Sequence, residues 1–436
     1  MLNVVNCTHH RLAGPLVLRC LLFLFFPLFS VAAQAESADQ LFQQFSESIV
    51  QVKVIDIASE SKSAIGSGFL VAEGNVIATN YHVISALLNK PDRYRIEIEY
   101  MGARYNQLQL LDVDVVNDLA LLYWQGGSGN AFQLADSMPR QGEPIYSFGN
   151  PMDIGMTVVP GTYNGIKETS FFQRVHLTAS INPGMSGGPA LNSAGEVVGI
   201  NVSTAGNQIS FLVPIERLKT LLDQQHKRLD SPIDLESRIR QQLHDVQEQM
   251  FSQLIENPWQ EDQLGAGQIV GEMAPFVVCW GDSDTGQKTG LRTISKGCHS
   301  DNYIYMGTHF NTGFFEYEFT YLETEELSSW TFYSALERAL SGARPGNRAS
   351  REDVTNFQCN NDFYRAQVKS GADTVYKATF CSRQYKNYPK LYDVFYIAAT
   401  INRKDQALVS HFTLAGVEQE LAMKFTEKFI GSVGWK

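Results

Sequence analysis

Between about positions 51 and 213 the apolar residues fall in short runs, alternating or β-branched, that turn residues interrupt every few positions. Segments 49–54, 68–71, 75–79, 94–100, 118–123, 144–148, 174–178 and 196–202 all have this character. Short strands at such close spacing predict an all-β sandwich or barrel, with Gly66, Gly149, Gly161 and Gly195 at its turns. The period then lengthens. Segment 214–228 puts Ile215, Leu218, Leu221 and Leu222 on one helical face. Ser231 and Pro232 read as the cap and first residue of a second helix, along which Leu235, Ile239, Leu243, Val246, Met250 and Leu254 recur every three or four positions. The repeat covers only about three heptads, which favours a packed connecting helix over a dimerising coiled coil. Segment 258–267 reads as a loop. Beyond it, strand and helix patterns mix: aromatic and polar residues alternate over 314–321, segments 392–400 and 407–414 flank a turn at Asn402-Arg403-Lys404-Asp405, and 330–340 and 417–430 have helical spacing.

The first residues follow a different logic. Arg11 and Arg19 precede a 14-residue apolar run from Cys20 to Ala33, and no acid occurs before Glu36. The run is too short to span a bilayer, which takes ~20 residues. Pro27 interrupts it, and Ala33-Gln34-Ala35 has the small-x-small form of a signal-peptidase site. Residues 1–35 are therefore expected to be a signal peptide. The chain would then be periplasmic or secreted, with no stable membrane span after cleavage.

At roughly 150 residues per domain, 436 residues suggest two or three domains. The boundaries expected are 40–222 for the β-rich unit, 223–257 for a helical linker and 258–436 for an α+β domain. A net charge of −11 is poor equipment for coating phosphates and excludes nucleic acid as a partner. Cleavage after Ala35 removes Cys7 and Cys20 and leaves Cys279, Cys298, Cys359 and Cys381. An even set in an exported chain reads as disulfides, and the spacings match no zinc ribbon or finger. Of the three pairings, Cys279–Cys298 with Cys359–Cys381 closes the shortest loops and is the one expected. His299, His309 and His411 share no tight ligand spacing and are taken as structural or surface residues. No metal or cofactor is expected.

The strongest motif is Asn182-Pro183-Gly184-Met185-Ser186-Gly187-Gly188-Pro189. A serine nucleophile must stand on a tight, exposed turn whose backbone N–H groups face the oxygen that becomes negative. Glycines permit that backbone and leave room for substrate. Ser186 is thus the candidate nucleophile, and the amides of Gly184 and Ser186 the candidate oxyanion hole. His82 follows the strand at 75–79 and can carry a proton near neutral pH. Asp118 opens a strand that would fix its carboxylate against that imidazole; Asp112 and Asp114 are competitors for the role.

The chain order His82, Asp118, Ser186 is the chymotrypsin order. With Thr79-Asn80-Tyr81-His82-Val83, Asp118-Leu119-Ala120-Leu121-Leu122, Gly149-Asn150-Pro151 and the serine motif, the chain resembles trypsin-like serine proteases of the HtrA/Deg kind over about residues 40–222. The match extends through Gly195–Asn201 and 209–214. The resemblance implies an all-β, chymotrypsin-like pair of six-stranded barrels, His82 and Asp118 on the first and Ser186 on the second. It implies an endopeptidase that forms an acyl-enzyme on protein or peptide substrates, unfolded exported proteins among them, and leaves a homo-oligomer open. Met185 stands where the family often has Asn. Residues 258–436 show no PDZ-like carboxylate-binding loop, so PDZ functions are not carried over. Ser180, six residues before Ser186, offers no carboxylate for Lys or Arg and argues for an apolar side chain at the cleaved position; segment 209–213 would line that pocket. The competing readings are a silent protease fold serving as a binding scaffold, and an esterase on the same triad.

Overall fold

The computed structural model describes residues 37–226, 234–367 and 373–435. The expected signal peptide and the Ser231–Pro232 cap lie outside the described residues. After a short helix α1 (Ala38–Phe45), seven strands and a helix build the first half of the β-rich unit. They are β1 (Ile49–Asp56), β2 (Ser61–Val71), β3 (Val76–Thr79), α2 (Tyr81–Asn89), β4 (Tyr94–Tyr100), β5 (Ala103–Tyr105), β6 (Leu108–Asp114) and β7 (Leu119–Trp124). Their sheet has the order β5-β4-β1-β2-β3-β7-β6. Its alternating residues put Val50, Val52, Leu70, Ile77, Ile98 and Leu122 inside, all fully buried.

The sheet is curled without being closed by hydrogen bonds. Trp124 of β7 meets Tyr100 and Tyr105, from β4 and β5, with ring centroids 5.1 and 4.8 Å apart. The first barrel is therefore a seven-stranded half-barrel sealed by aromatic rings, not the six-stranded closed barrel expected. β5 is three residues long and pairs with β4 alone, so side-chain packing takes over where the ladder stops.

The second barrel closes. It contains β8 (Pro144–Gly149), β9 (Thr157–Ile166), β10 (Val175–Thr178), β11 (Pro189–Leu191), β12 (Val197–Thr204) and β13 (Ser210–Pro214), in the order β10-β13-β12-β11-β8-β9. Helix α3 (Ile215–His226) follows and buries Ile215, Leu218 and Leu221. The fold is thus the chymotrypsin-like double barrel expected.

Helix α4 (Leu235–Glu256) is capped by Asp234, whose carboxylate accepts from Ser237 N–H. Its stripe of Ile239, Leu243, Val246, Met250, Phe251 and Leu254 is buried within this chain. On one side Gln242 bonds both ways with the end of β6 and the residue after it, donating to Val113 C=O at 2.7 Å and accepting from Val115 N–H at 2.9 Å. On the other, His244 meets Glu418 at 2.6 Å. The helix is therefore a packed brace.

The remainder holds β14 (Glu261–Leu264), β15 (Gly267–Val270), β16 (Val277–Asp284), β17 (Arg292–Ser300), β18 (Ile304–Gly307), β19 (Phe310–Thr312) and β20 (Phe314–Glu323). After these come α5 (Ser329–Gly342), β21 (Gln358–Gln367), β22 (Asp373–Gln384), β23 (Leu391–Thr400), β24 (Gln406–Glu418), α6 (Gln419–Ser432) and β25 (Gly434–Trp435). Seven strands form one antiparallel sheet, β16-β17-β20-β24-β23-β22-β21. Helices α4 and α6 pack into one apolar cluster with it, and α5 into another. Segment 258–267, expected as a loop, instead holds β14 and the two-residue turn that pairs it with β15, Leu264 facing Gly267. The cysteines bond Cys279 to Cys298 and Cys359 to Cys381, each pair directly opposed across a hairpin. The apolar cluster that fills the half-barrel continues through α4 into this sheet, so the packing has no break near residue 258.

Candidate active site

His82 stands in the first turn of α2. Its Nδ1 lies 2.6 Å from Asp118 Oδ2, and its backbone N–H donates to Asp118 Oδ1 at 2.8 Å. Asp118 has φ +63°, in the left-handed region that Asp tolerates better than most residues. That turn also sends its carbonyl to accept from Asn80 Nδ2 at 2.8 Å and from Tyr81 N–H at 3.2 Å. One residue thus holds the start of α2 with both its carboxylate and its carbonyl. The competitors are engaged elsewhere. Asp112 is fully buried and faces Arg238 at 3.3 Å, and Asp114 binds the backbone and side chain of Asn117.

The imidazole is 29% exposed and the Asp118 carboxylate 13%. Burial pulls the His82 pKa down, but the charge of Asp118 and its hydrogen bond outweigh that, and the net pKa lies above the ordinary histidine value. With Nδ1 bonded to a carboxylate, the proton sits on Nδ1 and Nε2 is left as the basic nitrogen.

Ser186 lies on the turn between β10 and β11. Gly184 (φ +98°) and Gly187 (φ +86°) both occupy backbone conformations that L side chains rarely adopt. Gly187 also presses on the segment leading to His82: a Cβ there would lie 2.4 Å from Thr79 Oγ1 and 3.0 Å from Asn80 N. The turn of Ser186 therefore packs against residues two and three positions before the histidine.

The carbonyls from Asn182 to Ser186 are all taken. Asn182 C=O accepts from Met185 N–H, Pro183 C=O from Met152 N–H and Met185 C=O from Gly188 N–H, at 2.9 to 3.0 Å. Gly184 C=O accepts from Ser67 Oγ, and Ser186 C=O from Ser67 N–H, both at 2.8 Å. Gly187 N–H donates to Asn201 C=O at 2.9 Å. Next to the nucleophile, the Met185 and Gly187 amides donate within the protein, whereas among the described residues no protein acceptor faces those of Gly184 and Ser186, nor that of Asn182 at the start of the turn. A trans peptide points its N–H opposite its C=O, so fixing Pro183 C=O on Met152 also fixes the direction of Gly184 N–H. Met185 is fully buried and adds no polar group to the turn.

Three residues support the site in a role that the sequence reading did not assign: Ser67 lay outside its motifs, and Asn201 and Ser210 stood in them only as members of matched segments. Ser67, fully buried in β2, bridges the two barrels as described. Asn201, also fully buried, donates through Nδ2 to Phe148 C=O at 2.9 Å and Met185 C=O at 3.3 Å. Ser210 Oγ donates to Ala179 C=O at 2.8 Å. Ser and Asn are common in strands and turns, and only the fold shows which of them brace a site. Ser180 and Ile209 are exposed beside Ser210, which ties their two segments together. Among the described residues no group of His, Cys, Asp and Glu could hold a metal ion. His411 is largely buried, with its pKa pushed down to about 4 by burial.

Residues 66–200 match the family model of the trypsin-like peptidase domain. Serine protease HTRA1 of Xenopus tropicalis is 33% identical over 179 residues, covering 39% of this chain and 38% of that relative. Serine protease HTRA4 of Mus musculus is 34% identical over 180 residues, covering 39% and 36%. The chain thus spans less than two-fifths of the length of these curated relatives. Among solved structures, the serine endoprotease from Yersinia pestis is 26% identical with a TM-score of 0.38, covering 43% of this chain and 66% of that one. Deg5 is 29% identical with a TM-score of 0.37, covering 42% and 90%. Through residues 66–200 this chain carries a trypsin-like peptidase domain similar to that of the HtrA serine proteases.

Proposed function

We propose that the chain is an exported serine endopeptidase with His82, Asp118 and Ser186 as its catalytic triad. The observation that carries this reading is the pairing of two arrangements. One is a histidine whose Nδ1 and backbone are both gripped by one carboxylate. The other is a serine turn that leaves the Gly184 and Ser186 amides unpaired. In the proposed reaction His82 Nε2 takes the Ser186 hydroxyl proton as Oγ attacks the substrate carbonyl. The carbonyl oxygen, now negative, is held by the two free amides. His82 then protonates the leaving amine, and the C–N bond breaks to give the acyl-enzyme. Water, deprotonated by His82, attacks the ester and restores Ser186. Asp118 keeps the imidazole in one tautomer and offsets its charge throughout.

The substrates proposed are unfolded or extended segments of exported proteins, with an apolar residue at the cleaved position. Export is supported by the two disulfides, which persist in oxidising compartments. The decisive experiment labels the purified protein with a fluorophosphonate probe and offers it an unfolded protein substrate. Labelling and cleavage that vanish together in Ser186→Ala are the expected outcome. A wild-type protein that neither labels nor cleaves would overturn the reading and favour a protease-fold scaffold.

A further inference from the structure

The hairpin of β18 and β19, which lies outside the peptidase-matched segment, reaches the proposed site. The Tyr305 ring lies edge-on to the His82 imidazole, with centroids 6.1 Å apart and planes at 75°. Its neighbours Ile304 and Met306 are buried, 1% and 2% exposed, whereas Tyr305 itself is partly exposed. The neighbours sit wholly in the core, while the Tyr305 ring packs on the edge of that core and keeps part of its surface open. We infer that Tyr305 is a specificity-determining residue of the peptidase, an aromatic wall of the substrate cleft beside His82 that favours an apolar side chain next to the cleaved bond. This rests on the peptidase reading above.

The geometry supports it in three steps. His82 must come within hydrogen-bond reach of both the Ser186 hydroxyl and the leaving nitrogen. Residues flanking the cleaved bond therefore pass within a few ångström of the imidazole, and a ring 6.1 Å from it is in reach of their side chains. Next, Tyr305 is held in place. Met306 C=O accepts from Tyr81 Oη at 3.4 Å and from Asn89 Nδ2 at 3.2 Å, and both donors lie on α2, the helix that carries His82. Just before the hairpin, Asp301 pairs with Lys167, and Ser170 Oγ donates to Asn302 Oδ1 at 2.5 Å, on the segment between β9 and β10. The hairpin is thus tied to both barrels. Lastly, the face of a fixed ring rewards burial of apolar surface, whereas a carboxylate laid on that face loses water and finds a donor only in the hydroxyl at the ring's far end.

The test uses the full chain and two peptides that differ only in leucine or aspartate beside the cleaved bond. The wild type should prefer the leucine peptide in kcat/KM. In Tyr305→Ala that preference should shrink about tenfold or more, chiefly through KM, while Tyr305→Phe keeps it. An unchanged ratio in a folded Tyr305→Ala protein would overturn the inference. Should the alanine variant fail to fold, Tyr305→Gln, which keeps part of the bulk without the aromatic face, takes its place. A parallel arm measures Kd for both peptides by fluorescence anisotropy in the Ser186→Ala background, where no turnover is needed. If the wild type neither cleaves nor labels, the peptidase reading fails, and this arm still decides the wall. Loss of the leucine preference without the Tyr305 ring sustains the wall; retention of the preference, or none to begin with, overturns it.

Discussion

The hydroxyl of Ser67, in the half-barrel, donates to the carbonyl of Gly184, in the closed barrel, at 2.8 Å. The same oxygen accepts from Asn150 N–H at 3.0 Å. A fully buried hydroxyl thus sits between the two barrels and holds the turn whose free amides are the proposed oxyanion hole. Ser67→Ala would strand a buried carbonyl and a backbone N–H, at a cost of about 1–3 kcal/mol each. The expected result is a folded protein whose kcat falls about tenfold or more while KM changes little, since the Gly184 amide is needed most in the transition state. Steady-state kinetics beside a thermal melt would check this. A variant with wild-type kcat would show that the bridge does not position the amide.

The raised pKa of His82 sets a pH dependence. The base must be neutral to accept the Ser186 proton, and Asp118 favours its charged form. kcat/KM should therefore rise with pH through a pKa above the ordinary 6.5 of histidine and level off beyond it. Asp118→Asn removes the charge, so the His82 pKa should fall. Its amide would also donate to Nδ1 and force the proton onto Nε2, for a loss of about 10⁴ in kcat. A pH–rate profile of both proteins, with an NMR titration of the His82 ring, tests the two effects separately.

How much of this was legible in the sequence depended on how local each signal is. The strands around His82 and Ser186 declare themselves through alternation, and the glycines at 184 and 187 through their turn. Asp118 is separable from Asp112 and Asp114 by the strand directly behind it and by the Asp118-Leu119-Ala120-Leu121-Leu122 motif, and its carboxylate lies 2.6 Å from His82. Ser67 and Tyr305 carry no local signal, because their contacts lie 117 and 223 positions away along the chain and exist only once the barrels and the C-terminal sheet have docked. The β14–β15 hairpin reads as a loop in the sequence because its strands are only four residues long and β14, Glu261-Asp262-Gln263-Leu264, is mostly polar. β21 and β22 were missed because their alternation is weak: β21 opens Gln358-Cys359-Asn360-Asn361-Asp362, and the sheet edge tolerates it.

Asp153 makes a second line of support for the serine turn. It and Met152 have φ of +63° and +50°, and Met152 N–H holds the Pro183 carbonyl. Asp153 is anchored in turn from the half-barrel, by Gln51 Nε2 at 2.6 Å and by Lys62. The Lys62 hydrogen bond is the largest influence holding its carboxyl below the usual range, with Gln51 next. Asp153→Ala frees two residues held in an uncommon conformation, each at about 1 kcal/mol or more. We expect kcat to fall about tenfold in Asp153→Ala, and less than about threefold in Asp153→Asn, which tolerates the same backbone and can keep the Gln51 bond. Raised salt should weaken the Lys62 pair and narrow the gap between wild type and Asp153→Asn. Kinetics at two ionic strengths would decide it.

The disulfides act at the two margins of the seven-stranded sheet. β16 and β21 are its edge strands, and each is bonded to its single neighbour, Cys279 to Cys298 on β17 and Cys359 to Cys381 on β22. Edge strands have a ladder on one side only and are the first to fray. Separations of 19 and 22 residues correspond to about 3 kcal/mol of restricted unfolded chain for each bond. Replacing Cys359 and Cys381 together by serine should lower the melting temperature and raise hydrogen exchange along β21. It should leave fluorophosphonate labelling of Ser186 at the wild-type rate, since that edge is the one farther in strand order from β17, which leads into the Tyr305 hairpin. Replacing Cys279 and Cys298 should loosen β17 as well, and with it the approach to Tyr305. That variant should lose the preference for an apolar residue beside the cleaved bond before it loses labelling. Calorimetry, hydrogen exchange and the leucine–aspartate peptide pair, run on both double variants, would distinguish the two edges, and equal selectivity in the two would argue against a path from the β16–β17 edge to the cleft.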